Sequence, residues 1–128
     1  MKILIVDDSL VSRLIVRRCI EAAGVGTHEF CFSGDGEQAL EVIEAGGIDV
    51  LVSDLNMPVL DGHELLRAIK ESDLDLRLTI IMTSAVSLDL LQDLVRVGVD
   101  AVINKPLTVA AFTNAFSYLR PETNTYRR

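Results

Sequence analysis

The stretch Lys2-Ile3-Leu4-Ile5-Val6-Asp7-Asp8-Ser9 decides the architecture. Its apolar run stops at two carboxylates and a hydroxyl, and an amphipathic pattern then runs over residues 9–23. A continuous apolar run suits a strand buried on both faces, because a half-exposed strand would alternate. The same unit recurs along the chain. Apolar runs at 27–32, 49–53, 77–82 and 101–103 are followed by helical patterns near 36–45, 62–72, 87–97 and 108–119. This alternation predicts a single α/β domain, a doubly wound (βα)5 fold with a five-stranded parallel sheet covered by helices on both faces. The second run begins with the polar Thr27-His28-Glu29 and suits an edge strand. Asp35 and Asp61 each precede Gln or Glu by three residues, the spacing of a capping box, and Thr108 can cap the last helix. Gly24, Gly46 and Gly98 fall where helices should stop.

With 128 residues, 49% of them hydrophobic and 24% charged, the chain has the composition of one packed domain and not of a disordered one. Its apolar runs are too short for a bilayer span or a signal sequence, so a cytoplasmic location is expected and no membrane partner. Nineteen acidic residues against twelve basic ones give a net charge of −7, which argues against direct binding to nucleic acid. The pair Arg17-Arg18 is too small for a basic patch. Cys19 and Cys31 lack C-x-x-C spacing and read as buried free thiols. His28 and His63 have no partners at metal spacing and read as surface residues. Residues 1–119 form the expected folded unit, and the aperiodic segment 120–128 is expected to be a mobile tail or linker stub.

In open α/β sheets, ligands bind beyond the carboxyl ends of the strands, where strand order reverses. Those ends carry Asp7-Asp8 after the first strand, Asp54 after the third, Thr83-Ser84 after the fourth and Lys105-Pro106 after the fifth. If the first and third strands are neighbours, Asp7, Asp8 and Asp54 share one cleft. Carboxylates so close repel one another unless a cation is present, and Mg²⁺ takes oxygen ligands of this kind. Three Asp at −3, Lys105 at +1 and Mg²⁺ at +2 sum to zero. A carboxylate is also a competent nucleophile toward phosphorus, and Lys105 and Thr83 could meet the phosphoryl oxygens.

The chain resembles a response-regulator receiver domain, the phosphoacceptor module of two-component signalling. The matching pieces are Val6-Asp7-Asp8-Ser9, Ser53-Asp54-Leu55-Asn56-Met57-Pro58-Val59-Leu60-Asp61-Gly62, Met82-Thr83-Ser84-Ala85, Gly98-Val99-Asp100-Ala101 and Asn104-Lys105-Pro106-Leu107. The resemblance implies a flavodoxin-like sheet in the order 2-1-3-4-5. It makes Asp54 the phosphoacceptor, with a histidine kinase or phosphotransfer protein as donor and a downstream protein or effector domain as receiver of the signal. It implies Mg²⁺ held by Asp8 directly, by Asp7 through water, by Asp54 and by the backbone carbonyl of Asn56. Thr83 and Lys105 would bind phosphoryl oxygens, and the bond before Pro106 would be cis. The only turnover implied is the chain's own phosphorylation and dephosphorylation, so it would not be an enzyme. Met1 immediately before the first strand argues against a receiver joined behind a kinase.

Each of these residues also has a plainer role open to it. Asp8 could be an N-cap, Thr83 a strand-end hydroxyl and Lys105 a solvated lysine. Met57-Pro58 shapes a loop, Gly62 permits a tight helix entry, and Phe112 and Phe116 are core packing. A magnesium-dependent phosphatase resembling the haloacid dehalogenase group would need Asp-x-Asp after the first strand and a cap domain. A flavodoxin-like nucleotide binder would need a phosphate loop where Asp7-Asp8 stand. One departure from the receiver pattern is Val102, where many receivers carry a switching Tyr or Phe. The fourth helix carries Leu88, Leu90, Leu91, Leu94, Val95 and Val97, which either pack on the sheet or, with the fifth strand and fifth helix, form a partner or dimer surface.

Overall fold

A computed structural model describes residues 1–26 and 28–122. The elements follow the expected alternation: β1 (Lys2–Val6), α1 (Leu10–Ala23), β2 (Glu29–Ser33), α2 (Gly36–Glu44), β3 (Val50–Asp54), α3 (Gly62–Glu71), β4 (Leu78–Thr83), α4 (Leu88–Arg96), β5 (Ala101–Asn104) and α5 (Val109–Phe116). All strand pairs are parallel, and the sheet order is β2-β1-β3-β4-β5. The expected start of β2 at Thr27 lies outside the described residues, as does the tail over 123–128. Within the described part the ladder begins with Lys2 opposite Glu29, two residues later than the apolar run suggested.

Two apolar layers sandwich the sheet, and alternate strand residues feed them. Ile3, Ile5, Val50, Val52, Ile80 and Met82 pack under α1 and α5, against Val16, Ile20, Phe112 and Phe116. Leu4, Val6, Leu51 and Ile81 pack under α2, α3 and α4, against Ala39, Ile43, Leu65, Ile69 and Leu94. Burial on both faces is the physical reason that these strands read as unbroken apolar runs.

Local chemistry sets the helix ends. Asp61 and Glu64 form the full reciprocal capping box. Asp35 completes only half of one: it accepts from the Gln38 N–H, while Gln38 Oε1 accepts from Gly34 N–H instead of Asp35 N–H. Asp8 is not the cap of α1. Ser9 is, accepting from the Ser12 N–H. Helix α5 ends at Phe116, short of the expected Leu119, because Ser117, Tyr118 and Leu119 bond three residues back in a tightened last turn. Beyond it, Arg120 is tied in by its own amide to Arg77 O at 3.0 Å and by its guanidinium to Leu76 O at 2.6 Å and to Asp100.

His28 corrects a sequence expectation. It is half-buried and not a solvated surface residue: among the described residues both ring nitrogens are buried without a hydrogen-bond partner, and the ring sits 5.9 Å from Phe30 and 6.2 Å from Phe116. The rings of Phe30 and Phe116 that pack on the imidazole offer it no donor or acceptor. Burial, with a smaller contribution from the N-terminal ammonium, lowers its pKa below 6.5. The folded chain therefore refuses a proton that the unfolded chain accepts, so stability from this group is present above 6.5 and is lost as pH falls. Thermal unfolding at pH 7 and pH 5 should show a smaller acid-induced loss in His28→Phe than in the wild type; equal losses would contradict this. The cysteines are free but only half-buried, and burial pushes both thiols up in pKa.

Candidate functional site

Because β1 and β3 are adjacent at the centre of the sheet, the residues leaving β1 face the last residue of β3. Oxygens of Asp7, Asp8 and Asp54 lie within 4.8 Å of one another, the one such acidic, His or Cys cluster among the described residues. Asp7 and Asp54 are buried and Asp8 is exposed. Asp7 Oδ1 accepts from the Ser9 N–H at 2.9 Å, whereas its Oδ2 is buried with no hydrogen-bond partner among the described residues. Burial raises the Asp7 pKa first; the Ser9 hydrogen bond opposes it, Asp54 and Asp8 add to it, and Lys105 opposes it.

Lys105 comes from the far side of the cleft. Its Nζ stands 3.0 Å from Asp54 Oδ1, and its backbone N–H donates to Thr83 O at 2.9 Å, which ties the exit of β5 to the end of β4. The peptide bond between Lys105 and Pro106 is cis. Thr83 is buried, and its Oγ1 accepts from the Ala85 N–H at 3.2 Å, so its hydroxyl proton is left to donate elsewhere. Asn56 is exposed in the loop after β3. Among the described residues, neither Thr83 nor Asn56 hydrogen-bonds to the carboxylates.

That loop is held from two sides. Gly62 N–H donates to Leu55 O at 2.8 Å, and a Cβ on Gly62 would stand 2.7 Å from Asp54 O. The glycine thus permits more than a helix entry: it lets α3 lie directly behind Asp54. On the other side, a Cβ on Gly36 would meet Leu60 O at 2.3 Å. Between these contacts Val59 sits at φ 69°, with Leu60 N–H donating to Pro58 O at 2.7 Å across it. A β-branched residue at positive φ in such a three-residue turn is strained.

The donor set fits a hard divalent cation. One oxygen of Asp7 is buried and unpartnered among the described residues, the three carboxylates bring oxygens within 4.8 Å of one another, and after Lys105 the cluster retains a formal −2. Arg13 joins the site without having been expected: its Nη1 donates to Asp7 O at 2.7 Å. Nothing in the period or spacing of α1 marks that residue. The close approach of Gly36 to Leu60 is equally silent in sequence, because the two are far apart along the chain.

The sequence model described as "Response regulator receiver domain" matches residues 3–117. The chain is 36% identical over 110 residues to the chemotaxis protein CheY of Pseudomonas aeruginosa, covering 84% of this chain and 86% of that protein. It is 30% identical over 109 residues to the sensor histidine kinase RcsC of Escherichia coli, covering 85% of this chain but 11% of the kinase. Among solved structures, chemotaxis protein CheY4 of Vibrio cholerae superposes with a TM-score of 0.79 at 28% identity, covering 92% of this chain and 97% of that one.

Proposed function

The chain belongs to the response regulator receiver family, and on that premise we propose that it accepts a phosphoryl group on Asp54 from a phosphohistidine donor. The observation that carries this reading is the cluster of Asp7, Asp8 and Asp54 oxygens within 4.8 Å, with Asp7 Oδ2 buried and unpartnered among the described residues and Lys105 at 3.0 Å from the acceptor. Mg²⁺ held by Asp7, Asp8, Asp54 and the Asn56 carbonyl would supply the positive charge that lets phosphoryl oxygens enter an acidic cleft. An Asp54 carboxylate oxygen attacks phosphorus, and the bond from phosphorus to the donor nitrogen breaks. The electron pair stays on that nitrogen, and the donor ring, protonated at its other nitrogen before transfer, leaves as a neutral imidazole. Lys105 moves its ion pair to a phosphoryl oxygen, and the Thr83 hydroxyl donates to another. The chain turns over only its own phosphoryl group.

A protein donor must dock beside this cleft. Leu10, Val11, Leu14 and Ile15 of α1 are all exposed, and a cavity of about 330 Å³ lined by Asp7, Ile15, Lys105, Pro106 and Leu107 opens next to them. This apolar face suits the side of a helix carrying the donor histidine. No helix among the described residues is long and apolar enough to cross a membrane.

Output falls to the surface formed by α4, β5 and α5. In α4, Leu94 is buried on the sheet and Leu90 and Leu91, with the C-cap Val97, are partly covered, while Leu88 and Val95 are 70% and 65% exposed. A groove of about 350 Å³ lined by Leu91, Val95, Ala101, Val102 and Tyr118 runs between α4, β5 and α5. That surface is the reading for a partner or a second copy, biased by phosphorylation as a population shift. Val102 has no ring to rotate, so Thr83 and the β4–α4 loop carry the switch.

Intact mass after incubation with acetyl phosphate tests the acceptor. Wild type should gain one phosphoryl group only with Mg²⁺, and Asp54→Asn should gain none. Gain without Mg²⁺, or gain in the variant, would refute the assignment. In the same assay Leu14→Asp should keep uptake from acetyl phosphate yet slow transfer from a phosphorylated histidine kinase.

A further inference from the structure

The end of β1 is held by more than the sheet. Asp7 N–H donates to Ser33 O at 3.1 Å, the last bond toward β2, and the chain then turns at once into α1. Arg13 closes that turn twice. Its backbone N–H donates to Ser9 O at 3.0 Å, and its side chain folds back so that Nη1 donates to Asp7 O at 2.7 Å. The same nitrogen lies over the β2–α2 turn, 3.7 Å from where a Gly34 Cβ would stand. The guanidinium is thus directed at a neutral carbonyl in a valley beside the acidic cleft. Short charge-assisted bonds of this kind fix direction as well as distance.

We propose that Arg13 is a positioning residue for the cation site, holding the Asp7 peptide so that Asp7 Oδ2 and the Asp8 carboxylate face Asp54. The inference rests on the reading of that cluster as a Mg²⁺ site. Asp7 has its N–H on Ser33, its carbonyl on Arg13 and its Oδ1 on Ser9, which leaves Oδ2 without a partner among the described residues, while an Asp7 carboxylate oxygen lies within 4.8 Å of oxygens of Asp8 and Asp54. Releasing the carbonyl frees the peptide to rotate and carries both carboxylates with it.

Charge alone predicts the opposite sign. Removing a cation beside three carboxylates should tighten Mg²⁺ binding, whereas losing a positioning bond should weaken it. Calorimetric titration of Mg²⁺ into wild type, Arg13→Ala, Arg13→Met and Arg13→Lys at fixed ionic strength separates the two. Arg13→Ala and Arg13→Met should bind about tenfold more weakly, the range seen when an outer partner of a metal ligand is lost. Arg13→Lys, which keeps a charged donor on a shorter reach, should fall between them and wild type. Arg13→Met retains the apolar stem and serves where Arg13→Ala does not fold, as judged by circular dichroism. Binding by the Ala and Met variants as tight as wild type, or tighter, overturns the proposal. No saturable binding by wild type removes the cation reading itself.

Discussion

Replacing Gly36 with alanine should cost the fold about 2–3 kcal/mol, roughly 10 °C in unfolding midpoint for a domain of this size. The new Cβ would stand 2.3 Å from Leu60 O and 2.9 Å from Leu60 Cβ. A carbonyl oxygen cannot rotate aside as a side-chain tip can, so either the loop after β3 or the start of α2 must move. Moving the loop shifts Asn56 and Asp61, and phosphoryl uptake should fall together with stability. Gly34→Ala is the internal control. Its Cβ would meet only ordinary contacts at 3.7 and 3.9 Å, and its midpoint should stay within about 0.5 kcal/mol of wild type. Thermal unfolding of the pair decides the matter: equal effects would mean that the packing of α2 against Leu60 is not what the glycine serves.

Asp7→Asn should produce opposite effects on stability and on function. Without Mg²⁺ at pH 7 the variant should be more stable by about 1–2 kcal/mol, since it removes a buried charge while the side-chain oxygen can still accept from Ser9. The sign in pH follows from the raised pKa. The unfolded chain loses its proton near 3.8 and the folded chain only above that, so the penalty on the wild type grows as pH rises. The advantage of Asp7→Asn should therefore vanish below 3.8, where both states of the wild type hold the proton. Added Mg²⁺ reverses the order: at a hundredfold excess over its Kd, the wild type gains about 2.7 kcal/mol and the variant much less. Unfolding with and without Mg²⁺ at two pH values measures all of this. A variant less stable than wild type in the absence of metal would show that the orphan oxygen carries no penalty.

Elements with strong local signals were legible in the sequence, and those whose partners lie far along the chain were not. The capping box at Asp61 was readable because Glu64 lies one turn away; at Asp35 the same spacing misled, because Gly34 N–H competes for the Gln38 side chain. His28 looked like a solvated polar residue at a strand edge. Phe116 comes from the other end of the chain to cover it, and no local pattern announces that. The α4 residues could not be sorted between core and surface by composition, since both roles use leucine and valine. Only the sheet beneath them separates the buried Leu94 from the exposed Leu88 and Val95.

Residue order alone determined the βα alternation, the acidic and basic groups placed at strand ends, and hence the edge of the sheet on which the chemistry falls. These follow from periodicity and from residue type, which are properties of neighbours along the chain. The tertiary structure decided the rest. Adjacency of β1 and β3 brings Asp54 to Asp7 and Asp8; the fifth strand delivers Lys105 to 3.0 Å from the acceptor; Arg13 reaches back to the Asp7 carbonyl. Those distances arise from how two apolar layers close over the sheet, a balance among residues separated by whole elements, and no pattern along the chain encodes it one position at a time.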